Sequence, residues 1–309
     1  MKELLKYEEF KNEVKNEVKK LYGSDAKVQI HKVIKNNSQE YDSLTILQSG
    51  SICSPNIYLK QYYERYKMGE SLKSIIESIV RIYGEVSNNL DERSCDLSYE
   101  NCCDKITFRL ISMEKNKKIL ETTPYIPFLD MAVVFYCVVS VDDEGIASVR
   151  INNSIMEEWG LNTKQLYCIA QVNTTKLFPR KIYRLDDILQ ELLCSIKGYS
   201  QKHEENGYLP QEGVCPYVIT NTKGINGAGV IIYPGVLKET AEVLGGNFYL
   251  MPSSIHEVIV IKDDGSYKDK EMEKIVKEAN QTCVMPEEVL SEHVYYYSEE
   301  LDRLEICCQ

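Results

Sequence analysis

GVLKETAEVLGGNFYLMPSSIHEVIVIK, residues 235–262, holds the fold in miniature. Pro234, with φ already near the helical value, opens a helix through VLKETAEVL, and Gly245 and Gly246 close it. NFYLM and HEVIVIK then read as two strands joined by a short polar connection. Strands that follow one another closely, with helices set between the pairs, point to an α+β protein. Its sheets should be antiparallel or mixed, with helices packed on one face and the chain arranged in two or three lobes.

The connection PSSIHE gathers Ser253, Ser254, His256 and Glu257, residue types that could supply a nucleophile, a base and an orienting carboxylate. These four are the candidate catalytic residues. In an extended strand Ser254 and His256 point to one side while Ser253 and Glu257 point to the other, so the segment by itself does not assemble a triad. Pro252 stops the preceding ladder, and the serines suit a turn in which hydroxyls satisfy loose backbone groups. A structural turn is therefore the expected role, with His256 beginning the next strand.

Upstream, NTKGINGAG at residues 221–229 has three glycines, but a phosphate loop requires a helix after them. Here GVIIY follows, so the expectation is a hairpin of the strands PYVIT and GVIIY. Downstream, DKEMEKIVKEAN reads as a helix, and HVYYYS with RLEIC as a closing strand pair.

The N-terminal third starts with Leu4, Tyr7, Phe10, Val14, Val18 and Leu21 at helical spacing and Gly23 as a stop. AKVQIHKVI, YDSLTIL and NIYLK offer three short strands. SLKSIIESIVRIYG offers a helix capped by Ser71, with one wide apolar face, expected to pack on them. The polar stretch Glu85–Asp104 looks like a connector. Beyond it come the strand KITFRLI and MAVVFYCVVSV, which is apolar enough to be covered on both faces. GIASVRI completes a hairpin. Helices are expected in INNSIMEEWG through TKQLYCIAQVNTTKLF and in DDILQELLCSI, with GYSQKHEENGYLPQEG as a second connector. The lobes so drawn are 1–90 (helix, β-meander, helix), 91–200 (middle strands and helices) and 201–309 (C-terminal α+β).

Composition bounds the function. The chain has 309 residues, 43% apolar and 27% charged, which is ordinary for a globular protein long enough to bury a substantial core. Its longest apolar run is about half a membrane span, and the N-terminus shows no signal-peptide core, so the expected address is the cytoplasm and no membrane partner is expected. A net charge of −11, with only the short basic run EKNKKIL, speaks against nucleic acid as the main partner. The eleven cysteines are odd in number and lack CxxC spacing. They read as reduced thiols, with neither a metal nor another cofactor implied. Among 22 tyrosines, Tyr58, Tyr62, Tyr63 and Tyr66 crowd into NIYLKQYYERYKMGES, a possible interaction surface or a half-buried helix edge.

NIYLKQYYERYKMGESL, MEEWGLNTKQLYCIAQVNT, GAGVIIYPGVLKETAEVLGGNFYLMPSSIHEVIVI and VLSEHVYYY, in this order, resemble the domain-of-unknown-function family numbered 5688, found in clostridial bacteria and their mobile elements. A looser similarity in layout links the chain to the uncharacterised family numbered 1444. Both resemblances are silent about mechanism. The resulting expectation is a non-catalytic interaction or regulatory protein, adaptor-like, with a protein partner. Its rival is an unrecognised hydrolase or thiol enzyme built on PSSIHE or on a cysteine such as Cys215.

Overall fold

The computed structural model describes residues 4–49, 54–89, 96–141, 145–187 and 215–307. The chain forms two compact units, Met1–Ser98 and Tyr99–Gln309, so the division falls inside the polar stretch read as a connector.

In the first unit, helix α1 (Tyr7–Tyr22) has Glu8 and Glu9 in its first turn and Lys19 and Lys20 in its last, complementing the helix dipole. It ends at Gly23, whose φ of 70° suits glycine. Phe10, Val14 and Val18 are fully buried on one face, whereas Leu4 and Leu21 are exposed, so the apolar stripe is narrower than its spacing suggested. Strands β1 (Ala26–Ile34) and β2 (Glu40–Gln48) pair antiparallel without interruption from Ala26↔Gln48 to Ile34↔Glu40. The third strand, β3, is only Ile57–Tyr58 and pairs with β2. The rest of NIYLKQYYERYK is helix α2 (Leu59–Lys67), because Leu59 and Tyr62, three residues apart, are the positions that bury. Helix α3 (Leu72–Asn89) starts after Ser71, whose hydroxyl accepts from the Ser74 N–H at 3.2 Å. Its Ile75, Ile76, Ile79 and Tyr83 close one core with Phe10, Val28, Leu44 and Ile46.

The second unit opens with α4 (Tyr99–Cys102), β4 (Ile106–Ser112), α5 (Lys117–Leu120), β5 (Tyr125–Phe128), β6 (Met131–Val141) and β7 (Ile146–Arg150). The strands form a sheet ordered β4–β6–β5, with β7 also on β6. Met131–Phe135 of β6 are buried one after another, as expected of a strand covered on both faces. The basic run turns into α5, drawn inward by buried Ile119 and Leu120. Helices α6 (Asn153–Glu158) and α7 (Thr163–Leu177) follow, each capped by an asparagine side chain.

A six-stranded sheet completes the unit, made of β8 (Arg180–Arg184), β9 (Tyr217–Asn221), β10 (Phe248–Met251), β11 (Val258–Lys262), β12 (Tyr295–Ser298) and β13 (Arg303–Ile306). Its order is β13–β12–β10–β11–β9–β8 and every pairing is antiparallel, which with the helices makes the protein α+β. β8, drawn from the middle of the chain, pairs residue for residue with β9 of the C-terminal third. Helix α8 (Val236–Leu244) starts at Gly235 and ends at Gly245. Helix α9 (Asp269–Thr282) lays Met272 and Val276 on Tyr249 and Met251.

Two expectations are corrected. GVIIY is not a strand: Gly227–Ile232 is a 3-10 helix, buried at Gly227 through Ile231, and a short apolar run covered on all sides suits a tight helix as well as a strand. His256 does not begin β11, which starts at Val258. The helix expected in DDILQELLCSI, beyond Asp187, and the connector GYSQKHEENGYLPQEG lie outside the described residues. Among the described residues no helix is long and apolar enough to cross a membrane.

The aromatic corner of the first core yields a quantitative expectation. Phe10 is fully buried and its ring lies 5.2 Å from that of Tyr63 and 5.4 Å from that of Tyr66. Phe10→Ala should cost about 3–5 kcal/mol in urea unfolding. A cost below about 1 kcal/mol would mean that this corner is not packed as described.

Candidate functional site

The PSSIHE connection is held by two neighbouring stretches of main chain and by the side chain of Thr220. Leu290 and Ser291 N–H groups donate to the carbonyls of Ser253 and Pro252 at 3.1 Å each, and Ile255 N–H donates to Glu288 O at 2.8 Å. Ser254 forms an isolated bridge with Val289. From the opposite side Ala228 N–H reaches Ile255 O at 3.1 Å, and the Thr220 hydroxyl donates to His256 O at 2.8 Å.

The side chains serve the same purpose. Ser254, 5% exposed, accepts the His256 main-chain N–H on its hydroxyl oxygen at 3.0 Å, closing the turn. His256 Nδ1 accepts the N–H of Asn226 at 3.2 Å, and its Nε2 lies 3.2 Å from Glu288 Oε1. With Nδ1 an acceptor, the proton of the neutral ring sits on Nε2 and donates to Glu288. Both ring nitrogens are thereby engaged, and neither serine hydroxyl reaches the imidazole. Glu257 is held above the ordinary carboxylate range, first by burial and then by the nearby charge of Glu288; His256 and the Ser254 hydroxyl pull the other way.

Gly227 explains the glycine-rich stretch. A Cβ there would lie 2.0 Å from Thr220 Oγ1, 2.5 Å from His256 O and 2.8 Å from Asn221 N. The residue is glycine so that PSSIHE can approach β9, with Asn226 at φ 53° turning its N–H toward the imidazole. The site partners Thr220, Asn226 and Glu288 stand some thirty residues or more from His256, with no local signal to mark them.

A second polar cluster has no signature in the sequence. Asp130, in the β5–β6 turn, accepts from the Ser291 hydroxyl at 2.7 Å and from the Tyr295 hydroxyl, and Tyr295 and Ser291 lie 2.9 Å apart. Ser291 also accepts the His293 N–H at 3.1 Å. Burial and the Asp130 carboxylate push the Tyr295 hydroxyl well above its usual range, so it stays a donor. The pair joins residues 161 and 165 positions apart, the serine commits its proton to a carboxylate, and the ring of the neighbouring His293 turns its Nδ1 to Glu273 at 3.3 Å. Asp130 also lines a groove of about 480 Å³ with Met113, Lys117, Leu120 and Tyr125.

The tyrosines of NIYLKQYYERYKMGES turn toward their own unit. Tyr62 is 2% exposed, Tyr63 donates to Leu5 O at 3.1 Å and packs its ring at a tilt against Tyr7 and Phe10, and Tyr58 sits under Lys35 with Tyr41 beside it. Cys215 precedes β9, whose far end carries Thr220 beside His256; five residues of strand separate them by roughly 16 Å. The structure therefore does not pair this thiol with that imidazole. Cys102 and Cys137 are buried, and Cys103 and Cys307 half-buried. Among the described residues no three His, Cys, Asp or Glu side chains are grouped to hold one ion.

Antiparallel sheets with helices define an α+β protein, and at PSSIHE the polar groups join neighbouring segments of the chain. The chain belongs to the Family of unknown function (DUF5688), whose model matches residues 7–299. No curated protein matches the chain, and no solved structure does.

Stability should follow the hydrogen bonds. Gly227→Ala should cost about 3 kcal/mol or more, because the methyl displaces His256 O from Thr220. His256→Ala should cost about 1–3 kcal/mol and Ser254→Ala about 1 kcal/mol or less, read by thermal unfolding. Unchanged melting for both Gly227→Ala and His256→Ala would refute the close approach.

Glu257 adds a pH dependence. Its folded pKa is raised, so the folded state binds the proton more tightly; this contribution is full below the unfolded pKa and is lost as pH rises through the folded one. Glu257→Gln, which mimics the protonated form, should therefore be at least as stable as the parent at pH 7, with its relative advantage shrinking as pH falls toward the acid range. Denaturant titrations at the two pH values check the sign.

Proposed function

We propose that this protein acts by binding a protein partner, as an adaptor or regulatory component inside the cell, and carries out no chemistry at PSSIHE. The observation that supports this reading is the engagement of His256 on both nitrogens, by Asn226 and by Glu288. A general base needs a free lone pair aimed at a nucleophile's proton, and Nδ1 is already an acceptor. The serines add support, since Ser254 spends its oxygen on the turn and Ser253 contributes its carbonyl to Leu290. The acidic balance of −11 fits a protein partner better than nucleic acid. The source expected from the resemblance, a clostridial cell or its mobile elements, belongs to the same reading.

The rival, a hydrolase using a serine of this segment, is separable by a chemical probe. An activated serine reacts covalently with a fluorophosphonate, whereas an ordinary hydroxyl does not. Full-length protein treated with a fluorophosphonate and mapped by peptide mass spectrometry should carry no adduct on Ser253 or Ser254. An adduct that forms on the folded chain and disappears in His256→Gln would establish the enzyme instead.

A further inference from the structure

Strand β1 is the edge of its sheet, and its hydrogen-bond parity can be read from both ends. Ser49 N–H donates to Asp25 O at 2.9 Å and Lys35 N–H to Gln39 O at 2.8 Å, so the odd-numbered residues of β1 exchange hydrogen bonds with β2. On β2 the even position Ile46 confirms the phase, since its N–H points away from β1 to Ser54 Oγ at 2.9 Å. The N–H and C=O groups of Ala26, Val28, Ile30, Lys32 and Ile34 therefore face out of the sheet, and none of them has a partner among the described residues.

The edge is also flanked by charge. A groove of about 810 Å³ lies at the start of β1, lined by Ala26–Gln29, by Leu47–Ser49 at the end of β2 and, from α1, by Lys15 and Lys19, one turn apart; Lys27 is its third lysine. None of these lysines has a carboxylate partner among the described residues, although most other lysines of the unit do: Lys11 pairs with Glu8 and Asp42, Lys20 with Glu17 and Lys32 with Glu40. One acid, Asp25, lines the same groove, with its Oδ1 held by the Ser24 hydroxyl. On a chain of net charge −11 this is a local reversal of sign.

We infer that the open edge of β1 receives an extended, acidic peptide segment of a partner protein, which adds as a strand while its carboxylates meet Lys15, Lys19 and Lys27. Main-chain pairing supplies the hydrogen bonds and the lysines supply selectivity. Lysines on an edge strand also act to discourage unwanted pairing, and Lys27 and Lys32 fit that role. It does not account for Lys15 and Lys19, which lie on the helix, nor for nine residues of β1 without a proline or a bulge, the features that blunt an edge. Pairing of β1 with β1 of a second copy would bring these lysines toward one another, so a partner of opposite charge is the better complement. The inference goes with the binding reading but stands on the first unit alone. Fluorophosphonate chemistry at residues 253–254 leaves it untouched.

The test uses the full chain and the capped peptide Glu-Val-Glu-Thr-Glu-Val-Glu. Hydrogen exchange read by NMR should slow at least about tenfold at three or four successive amides of the series Ala26, Val28, Ile30, Lys32 and Ile34, the number that a seven-residue strand spans, on saturation with the peptide, with little change at Lys27, Gln29, His31 and Val33. The double variant Lys15→Glu, Lys19→Glu, checked for unchanged circular dichroism, should bind at least about tenfold more weakly. A scrambled-chirality version of the same peptide, alternating L and D residues, has the same charge but cannot lie as a regular strand with its carboxylates on one face and should not protect the edge. The inference is overturned if all five amides stay unprotected, if the alternating L,D peptide or a Lys-for-Glu version binds as well, or if the edge is already protected in a dimer without peptide.

Discussion

The second unit turns on a contact where there is no room for a side chain. At Gly227 the 3-10 segment, the end of β9 and the carbonyl of His256 converge within van der Waals distance of where a Cβ would stand. That approach lets Thr220 donate to His256 O and Ala228 N–H reach Ile255 O. Once the connection is seated, its other edge is free to pair with Glu288–Ser291, and the order β12–β10–β11–β9 follows from that docking. The serines and the histidine are consequences of the same geometry, because a connection pressed between two main-chain segments has donors and acceptors that must all be met.

Asp130 performs a parallel task for the other sheet. Leu129, at φ 54°, adopts a conformation that bulky residues rarely accept, and the turn it forms presents the Asp130 carboxylate to Ser291 and Tyr295. Two hydroxyl donors on one carboxylate, with Met113 N–H bonding the Asp130 carbonyl at 3.1 Å, tie the β5–β6 turn to the start of β12 and to β4. A local backbone cost is thereby offset by charge-assisted hydrogen bonds made away from water.

What the sequence makes legible is what depends on near neighbours. The periodicity of α1 and α3, the Ser71 cap, the unbroken apolar run of β6 and the turn at PSSIHE rest on spacings of a few residues, and each is present. GVIIY misleads because it is apolar throughout, and such a run is equally compatible with a strand and with a tight helix buried on all sides. NIYLKQYYERYK misleads in the same way: two strand residues lead directly into a helix, and tyrosine serves either state. The partners of His256, and the Asp130 cluster, were not legible at all, since a single sequence does not say which glutamate or aspartate lies across the fold.

The same limit governs the charge. Net charge is a sum over the whole surface, whereas recognition is decided within about a Debye length, near 10 Å at ordinary ionic strength. Three lysines gathered along one strand edge thus set a local potential that a total of −11 conceals. Two of them belong to α1, where last-turn lysines also complement the helix dipole, and the third to β1. Only the packing of that helix over the hairpin brings them to one groove, so the positive patch is a property of the tertiary fold, as the satisfied histidine is.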